Sequence, residues 1–198
     1  MKVSFVISAY DRPQCLKLCL QSLVLQSEDD WEAIVMDNSP DIITQHKNEA
    51  ATRVDKRITY VSTPPAYSIE CYSSAWFGSK YIAQGDWLCF PSDDSDYTPI
   101  FSKLMLQAAA KTGWELVYCD FVHGCYMNQQ FSYQTLLTEP RECYIDKTTF
   151  LLRREWMRDW PGRPKTPTRA NCDGWLIEQL VRDGIRHGRV PHVLVVHN

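Results

Sequence analysis

The alternation of two hydrophobic periods constrains this chain more than any other feature. Val3 to Ser8 is a near-continuous β-type run, as for a strand covered on both faces. Pro13 then opens a stretch with Leu16, Cys19, Leu20 and Leu23 at i, i+3, i+4, i+7, a helical stripe. Trp31 to Met36 reads as a second strand, Ile42 to Val54 as a polar helix, and Ile58 to Ser62 as a third strand. A helix capped by Ser68 carries Cys71, Ala75, Gly78 and Ile82 on one face and stops at Gly85. Trp87 to Phe90 is strand-like. Thr98 as N-cap and Pro99 at the first position then start a helix with Phe101, Leu104, Met105 and Ala108 that ends at Gly113. Trp114 to Val122 is strand-like again. The order β-α-β-α-β-α-β-α-β predicts an α/β domain with a mainly parallel sheet and helices on both faces.

The remainder is less regular. Residues 123–143 are aromatic and read as a hairpin or flap at the sheet edge. Ile145 to Leu152 reads as a strand and Glu155 to Trp160 as a short helix. Pro161 to Asn171 is a loop rich in Pro, Arg and Lys, expected to move when no ligand is bound. Asp173 opens a last helix with Leu176, Ile177, Leu180 and Val181 on its core face and Gly184 as its stop. Arg189 to His197 forms the final strand.

Within this frame the stretch Gly85 to Pro99, GDWLCFPSDDSDYTP, concentrates chemistry. It places Asp93, Asp94 and Asp96 at the carboxyl end of a buried strand, where open α/β sheets bind ligands. Adjacent carboxylates there repel each other and lose water. A hard divalent cation relieves both costs and can hold a phosphate on its far side. A solvated or helix-capping acidic turn is the plainer reading of the same residues.

Size and composition bound the function. With 198 residues, 44% hydrophobic and 23% charged, the chain can build one domain with a real core. No apolar run approaches the ~20 residues of a membrane helix, and the N-terminus lacks a signal-peptide pattern. The eight cysteines show no Cys-x-x-Cys pair or zinc spacing and read as reduced, mostly buried thiols. A cytoplasmic location is therefore expected. Residues 147–198 hold 10 Lys and Arg against 5 Asp and Glu, whereas the net charge of the whole chain is −3. An acidic body with a basic late region suits a metal site facing an anion-binding flap, although a solvated basic face fits as well. Nucleic acid is disfavoured, because the chain lacks both an overall basic balance and a basic-aromatic motif.

The first forty residues, with VSFVISAYDRPQCLKLCLQSLVLQSEDDWEAIVMDNSPD, followed by Ala83-x-Gly85-Asp86, Phe90-Pro91-Ser92-Asp93-Asp94 and Pro99, resemble the inverting family-2 glycosyltransferases of GT-A fold. The resemblance covers roughly residues 3–120 well and the rest loosely. It implies one catalytic domain over 1–198, with 1–97 as the nucleotide-sugar-binding half and 98–198 as the acceptor-side half. It further implies that Tyr10 stacks on the nucleotide base and that Asp37 bonds to base or ribose. Asp93 would contact ribose or metal, and Asp94 would bind the Mn²⁺ or Mg²⁺ that bridges the diphosphate. Asp96 supports the turn, Asp173 is the base, and His197 is a C-terminal metal ligand. An aromatic at a strand edge, an Asx turn at Asp37, a helix N-cap at Asp173 and a structural histidine are the plainer readings of those residues.

The expected substrates are a nucleotide-diphosphate sugar, with uridine the commonest nucleotide in this family, and a glycan or other hydroxyl acceptor. Many relatives carry an Arg-Asn pair in the helix before the acidic turn. Here only Lys80 is basic, so Arg163, Lys165 or Arg169 of the late loop is expected to neutralise the diphosphate. Relatives often continue beyond the last strand, so the chain reads as a bare catalytic core or part of something longer. A nucleotidyltransferase is the first alternative. It ranks lower because the turn Ser8-Ala9-Tyr10-Asp11-Arg12 has no glycine to cradle a triphosphate. A catalytically dead sugar-nucleotide or glycan-binding module is the second.

Overall fold

Strand β1 (Val3–Ala9) lies inside the sheet because both of its faces are apolar. Phe5 and Ile7 enter one core layer and Val6 enters the other. The chain, seen in a computed structural model, is described over residues 1–63, 73–127, 130–158 and 172–198. Within them β1 is flanked in parallel by β2 (Trp31–Asp37) and β4 (Trp87–Cys89), and β2 pairs in parallel with β3 (Ile58–Ser62). This half is the expected parallel sheet. Beyond it the sheet is mixed. β8 (Phe150–Arg153) runs antiparallel to both β4 and β6 (Leu116–Met127). β6 pairs in parallel with β9 (His187–His197) and antiparallel with β7 (Gln130–Leu136), and β9 carries the short antiparallel β5 (Ser95–Tyr97). The order is β3-β2-β1-β4-β8-β6-β9-β5, with β7 hydrogen-bonded to β6.

Helices cover both faces, as the periodicity predicts. Helix α1 (Pro13–Val24) buries Leu16, Cys19, Leu20 and Leu23, its whole i, i+3, i+4, i+7 stripe. It shares its core layer with α4 (Phe101–Thr112), which buries Phe101, Met105 and Ala109, and with Ala51 of α2 (Ile42–Thr52). The opposite layer holds Ala75 of α3 (Ser73–Tyr81) and Leu176, Ile177 and Leu180 of α5 (Cys172–Arg182). No helix among the described residues is long and apolar enough to cross a membrane.

The expected start of α4 is corrected. Thr98 is not an N-cap and Pro99 is not the first helical residue, because β5 intervenes and the helix begins at Phe101. Thr98 N–H donates to Leu194 O, so this segment still belongs to the sheet edge. The cap comes from across the fold. Gln26 Oε1 accepts from both Ser102 N and Ser102 Oγ at 3.0 Å, and its Nε2 donates to Thr98 O at 2.7 Å. Gln26 is only 5% exposed, so Gln26→Ala should leave buried groups unmatched and lower stability by about 1–3 kcal/mol. Urea melts measure this, and a loss below ~0.5 kcal/mol would refute the capping role.

The strand expected over Ile145 to Leu152 is also shorter. Asp146 caps a 3₁₀ turn, Lys147–Thr149, and only Phe150–Arg153 is strand. In place of the helix expected over Glu155 to Trp160 there is a second 3₁₀ turn, Arg154–Trp156; Met157 and Arg158 are irregular, and residues 159–160 lie outside the described residues. Between β6 and β9 the register shifts around Asp120, which pairs with Val193 while Cys119 pairs with Val190. Such an irregularity re-aims a strand end. Here it brings His197 beside both His123 of β6 and Ser95 of β5.

Candidate active site

The acidic turn is stitched to the carboxyl end of β1. Ser8 N–H donates to Pro91 O, and Asp93 N–H donates to Ser8 O, both at 3.1 Å. Asp93 and Asp94 are buried, as expected for a ligand-binding strand end, and both need a cation. In this structure Arg12 supplies it, one guanidinium nitrogen on each carboxylate. Tyr10 N–H also donates to Asp93 Oδ2 at 3.0 Å. Burial still pushes the Asp93 carboxyl above its usual value, with Tyr10 N–H and Arg12 only partly offsetting it. Asp94 goes the other way. Burial opposes its charge, but His197 and Arg12 outweigh that and hold it below the usual value.

His197 closes the far side of the turn. Its Nε2 lies 3.4 Å from Asp94 Oδ1 and its Nδ1 lies 3.4 Å from Asp146 Oδ2. Burial works against an imidazolium here, but the two carboxylates prevail and hold its pKa up at about 9. Asp146 is held well below its usual value, against its burial, by His197 and by Thr148. Its Oδ1 accepts from Thr148 N and Thr148 Oγ1 at 2.9 and 2.7 Å. Asp96 does what the sequence suggests: its Oδ2 accepts from Asn198 Nδ2 at 3.2 Å and ties the turn to the chain end.

Asp173 reaches the same place by another route. It is the second residue of α5 rather than its N-cap, and it is buried. Its Oδ2 accepts from Lys147 N at 3.0 Å, the residue next to Asp146. Lys147 itself is 5% exposed, with Nζ 3.4 Å from Ser8 Oγ. The turn at residues 146–148 therefore joins the acidic pair, the imidazole and Asp173 into one site.

Tyr10 stands at the rim, its side chain 50% exposed. Asp37 lies behind it with no exposed surface. Its Oδ1 accepts from Ser39 N, an Asx turn, and its Oδ2 accepts from Tyr60 Oη at 2.7 Å and Asn48 Nδ2 at 3.1 Å. Asn48 Nδ2 also donates to Tyr10 O, so Asp37 fixes the loop that presents Tyr10. Arg163, Lys165 and Arg169 lie outside the described residues.

Three members of this site escape sequence reading. Arg12 reads only as part of a turn, and Asp146 and Lys147 fall in a predicted strand. The pattern Asp-x-Thr at 146–148, a side-chain cap for a tight turn, was the one local signal available.

The residues fit a divalent cation of a particular kind. Among the described residues no group of three or more His, Cys, Asp or Glu forms a complete cage. Asp94 can offer an oxygen, and His197 beside it a ring nitrogen once a cation takes the place of the proton between them. Two protein ligands completed by phosphate and water oxygens is how Mg²⁺-type sites on phosphate substrates are built.

The fold has counterparts among known proteins. The family model described as Glycosyl transferase family 2 matches residues 4–164. Protein CgeD of Bacillus subtilis (strain 168) is 27% identical over 128 residues, covering 59% of this chain and 28% of CgeD. Among solved structures, S. aureus TarS 1-349 superposes with a TM-score of 0.75 at 15% identity, over 100% of this chain and 60% of that one. Mannosyltransferase PcManGT from Pyrobaculum calidifontis, solved in complex with GDP-Man and Mn²⁺, gives 0.71 at 14% identity over 98% and 56%. At these identities the two likenesses show a shared fold. The chain spans less than two thirds of the length of each of these relatives.

Proposed function

The chain belongs to glycosyl transferase family 2, and from that premise we propose that it moves a sugar from a nucleoside diphosphate donor to an acceptor hydroxyl, with inversion at the anomeric carbon. One observation carries the reading: the turn at residues 146–148 links a paired-carboxylate site at the end of β1 to a second, separate carboxylate, Asp173. A leaving-group site and a base on opposite sides of one reacting carbon are what a single displacement requires.

In this reading residues 1–97 bind the donor and residues 98–198 present the acceptor. Tyr10 offers its exposed ring to the base, and Asp37 holds the loop that places it. Asp94 and His197 would hold a divalent cation, which when bound supplies positive charge at the leaving oxygens. Asp93, held by Arg12 and Tyr10 N–H, borders the ribose. Lys147 adds a fixed positive charge beside Ser8. The acceptor oxygen forms its bond to the anomeric carbon as the bond to the phosphate oxygen breaks. The acceptor's proton passes to the carboxylate of Asp173, which Lys147 N–H anchors at Oδ2. The nucleoside diphosphate leaves with its electron pair. A uridine nucleotide and a cytoplasmic location belong to the same proposal, the latter resting on the free thiols of Cys19, Cys89 and Cys119.

The supporting observation at PcManGT, GDP-Man with Mn²⁺ in a similarly folded protein, motivates testing both nucleotides. Calorimetry of UDP and GDP with Mn²⁺ or Mg²⁺ should give binding that is lost or strongly weakened after EDTA treatment. Incubation with a panel of nucleotide sugars should release free nucleoside diphosphate. Equal affinity with and without metal would remove the cation from the mechanism. Transfer of a nucleotidyl group, or binding with no turnover on any donor, would favour the two alternative readings instead.

A further inference from the structure

We propose that the cavity beside Asp146 holds the acceptor, and that it takes an uncharged sugar ring or polyol in preference to an anionic one. This rests on the transferase reading above and adds the acceptor's chemical class. The cavity has a volume of about 450 Å³, inside the range of roughly 300–1,000 Å³ usual for small-molecule sites. It lies between the β6–β7 hairpin and the segment 137–146, and Asp146 forms part of its wall. The metal-side histidine therefore meets one of its lining residues directly, at 3.4 Å. The helix that carries Asp173 packs beside the segment that forms one wall. A side chain on Gly174 would come within 2.4 Å of Glu142 Cα, so the first turn of α5, with Asp173, lies against the backbone of the segment that lines the cavity. Glu142 N–H donates to Glu178 Oε1 of the same helix at 2.9 Å, which fixes that contact.

The lining decides the ligand class. Phe121 and Tyr144 supply aromatic surface, and Tyr144 is half-exposed. Glu139 and Asp146 supply carboxylate oxygens, which accept hydrogen bonds from hydroxyls, and His123 supplies a ring nitrogen. Among the described residues no Lys or Arg lines the cavity. The nearest cation along the segment, Arg141, is bound to Glu139 at 2.7 Å and stacked on Tyr144 at 3.6 Å. The other carboxylate, Asp146, is matched by His197 and Thr148. Among the described residues a phosphate or uronate placed here would face carboxylates with no unpaired cation in the lining, whereas a neutral polyol would find acceptors and an aromatic wall.

Matched probe pairs test this on the full chain with UDP and Mg²⁺ present, by saturation-transfer NMR. The pairs are methyl glucoside against methyl glucuronide, and sorbitol against sorbitol 6-phosphate. The neutral member of each pair should bind more strongly, at least severalfold. Thr135 is an exposed lining residue, so Thr135→Trp should fill the cavity without disturbing the fold. It should abolish the neutral probes' signal and leave UDP affinity unchanged. Anionic probes binding as well as neutral ones would overturn the proposal, as would probe binding that Thr135→Trp does not change. If UDP binds and no probe does, the cavity is not the acceptor site, while the donor-binding reading survives. If UDP itself fails to bind, the transferase reading falls with it.

Discussion

Asp173→Asn should lose sugar transfer by roughly 10²–10⁴-fold while keeping its fold and its affinity for nucleoside diphosphate. The structure sharpens this expectation. Asp173 is not the cap of α5; it sits in the first turn, where its carboxylate accepts Lys147 N–H at 3.0 Å. An amide can keep that hydrogen bond with its carbonyl oxygen, because the lost charge does not change the acceptor's shape. Loss of the favourable interaction between a negative charge and the helix N-terminus should cost only ~0.3–1 kcal/mol. An amide cannot take a proton from a hydroxyl, so chemistry fails where structure does not. Three measurements read the pattern: thermal melting, calorimetry of UDP with metal, and product formation per unit time. Transfer near the wild-type rate would assign Asp173 to structure alone and send the search for the base elsewhere. A collapse in melting would instead show that the Lys147 contact depends on the charge.

What the sequence revealed about the fold follows from how local each signal was. β1 and β2 are covered on both faces, so their apolar runs survive without any partner in view. The α1 stripe at Leu16, Cys19, Leu20 and Leu23 is a property of one helix and its single buried side. β5 could not be read this way. Its three residues become strand because Ser95, Asp96 and Tyr97 pair with His197, Val196 and Val195, a hundred residues further on. The same holds for the cap of α4, supplied by Gln26 from beyond the end of α1. Parallel pairing in the first half follows from strand–helix alternation. The antiparallel pairs of β8 with β4 and β6 follow from the 3₁₀ turn at residues 147–149, which no periodicity announces.

The site divides in the same manner. Asp93 and Asp94 were legible because a strand and a turn carry them in one short stretch. Arg12, Asp146 and Lys147 were not, since their roles depend on where the ends of β1, β8 and β9 converge. Asp146 is a turn cap in sequence and becomes the partner of His197 only because β9 ends beside it. Asp37 shows the opposite case. Asp37, expected to bond to base or ribose, is enclosed among Ser39, Asn48 and Tyr60, and its Oδ1 makes an Asx turn.

Lys147→Met should weaken UDP roughly 10–100-fold and leave uridine binding nearly unchanged, the range expected for one charge-assisted hydrogen bond of about 1.5–3 kcal/mol. Methionine has a similar volume and an apolar stem, so the substitution removes the charge without opening a cavity. Lys147 is buried, its Nζ lies 3.4 Å from Ser8 Oγ, and its charge is felt at Asp93 on the same strand end. A buried ammonium has two uses here. It can offset Asp93, or it can face the diphosphate that the acidic turn would hold through a cation. The two uses differ in what they do to ligands of different charge. If Lys147 only offsets Asp93, its loss disturbs the turn, and uridine and UDP weaken together. Arg12 and Tyr10 N–H remain on Asp93 in either case, so the fold should survive with a stability loss of about 1–3 kcal/mol. The deciding quantity is the ratio of UDP to uridine affinity in the variant and in the wild type, measured at one Mg²⁺ concentration. A falling ratio places the ammonium against the phosphates. An unchanged ratio confines Lys147 to the neutralisation of Asp93 and returns the diphosphate's charge partners to the basic residues 163, 165 and 169.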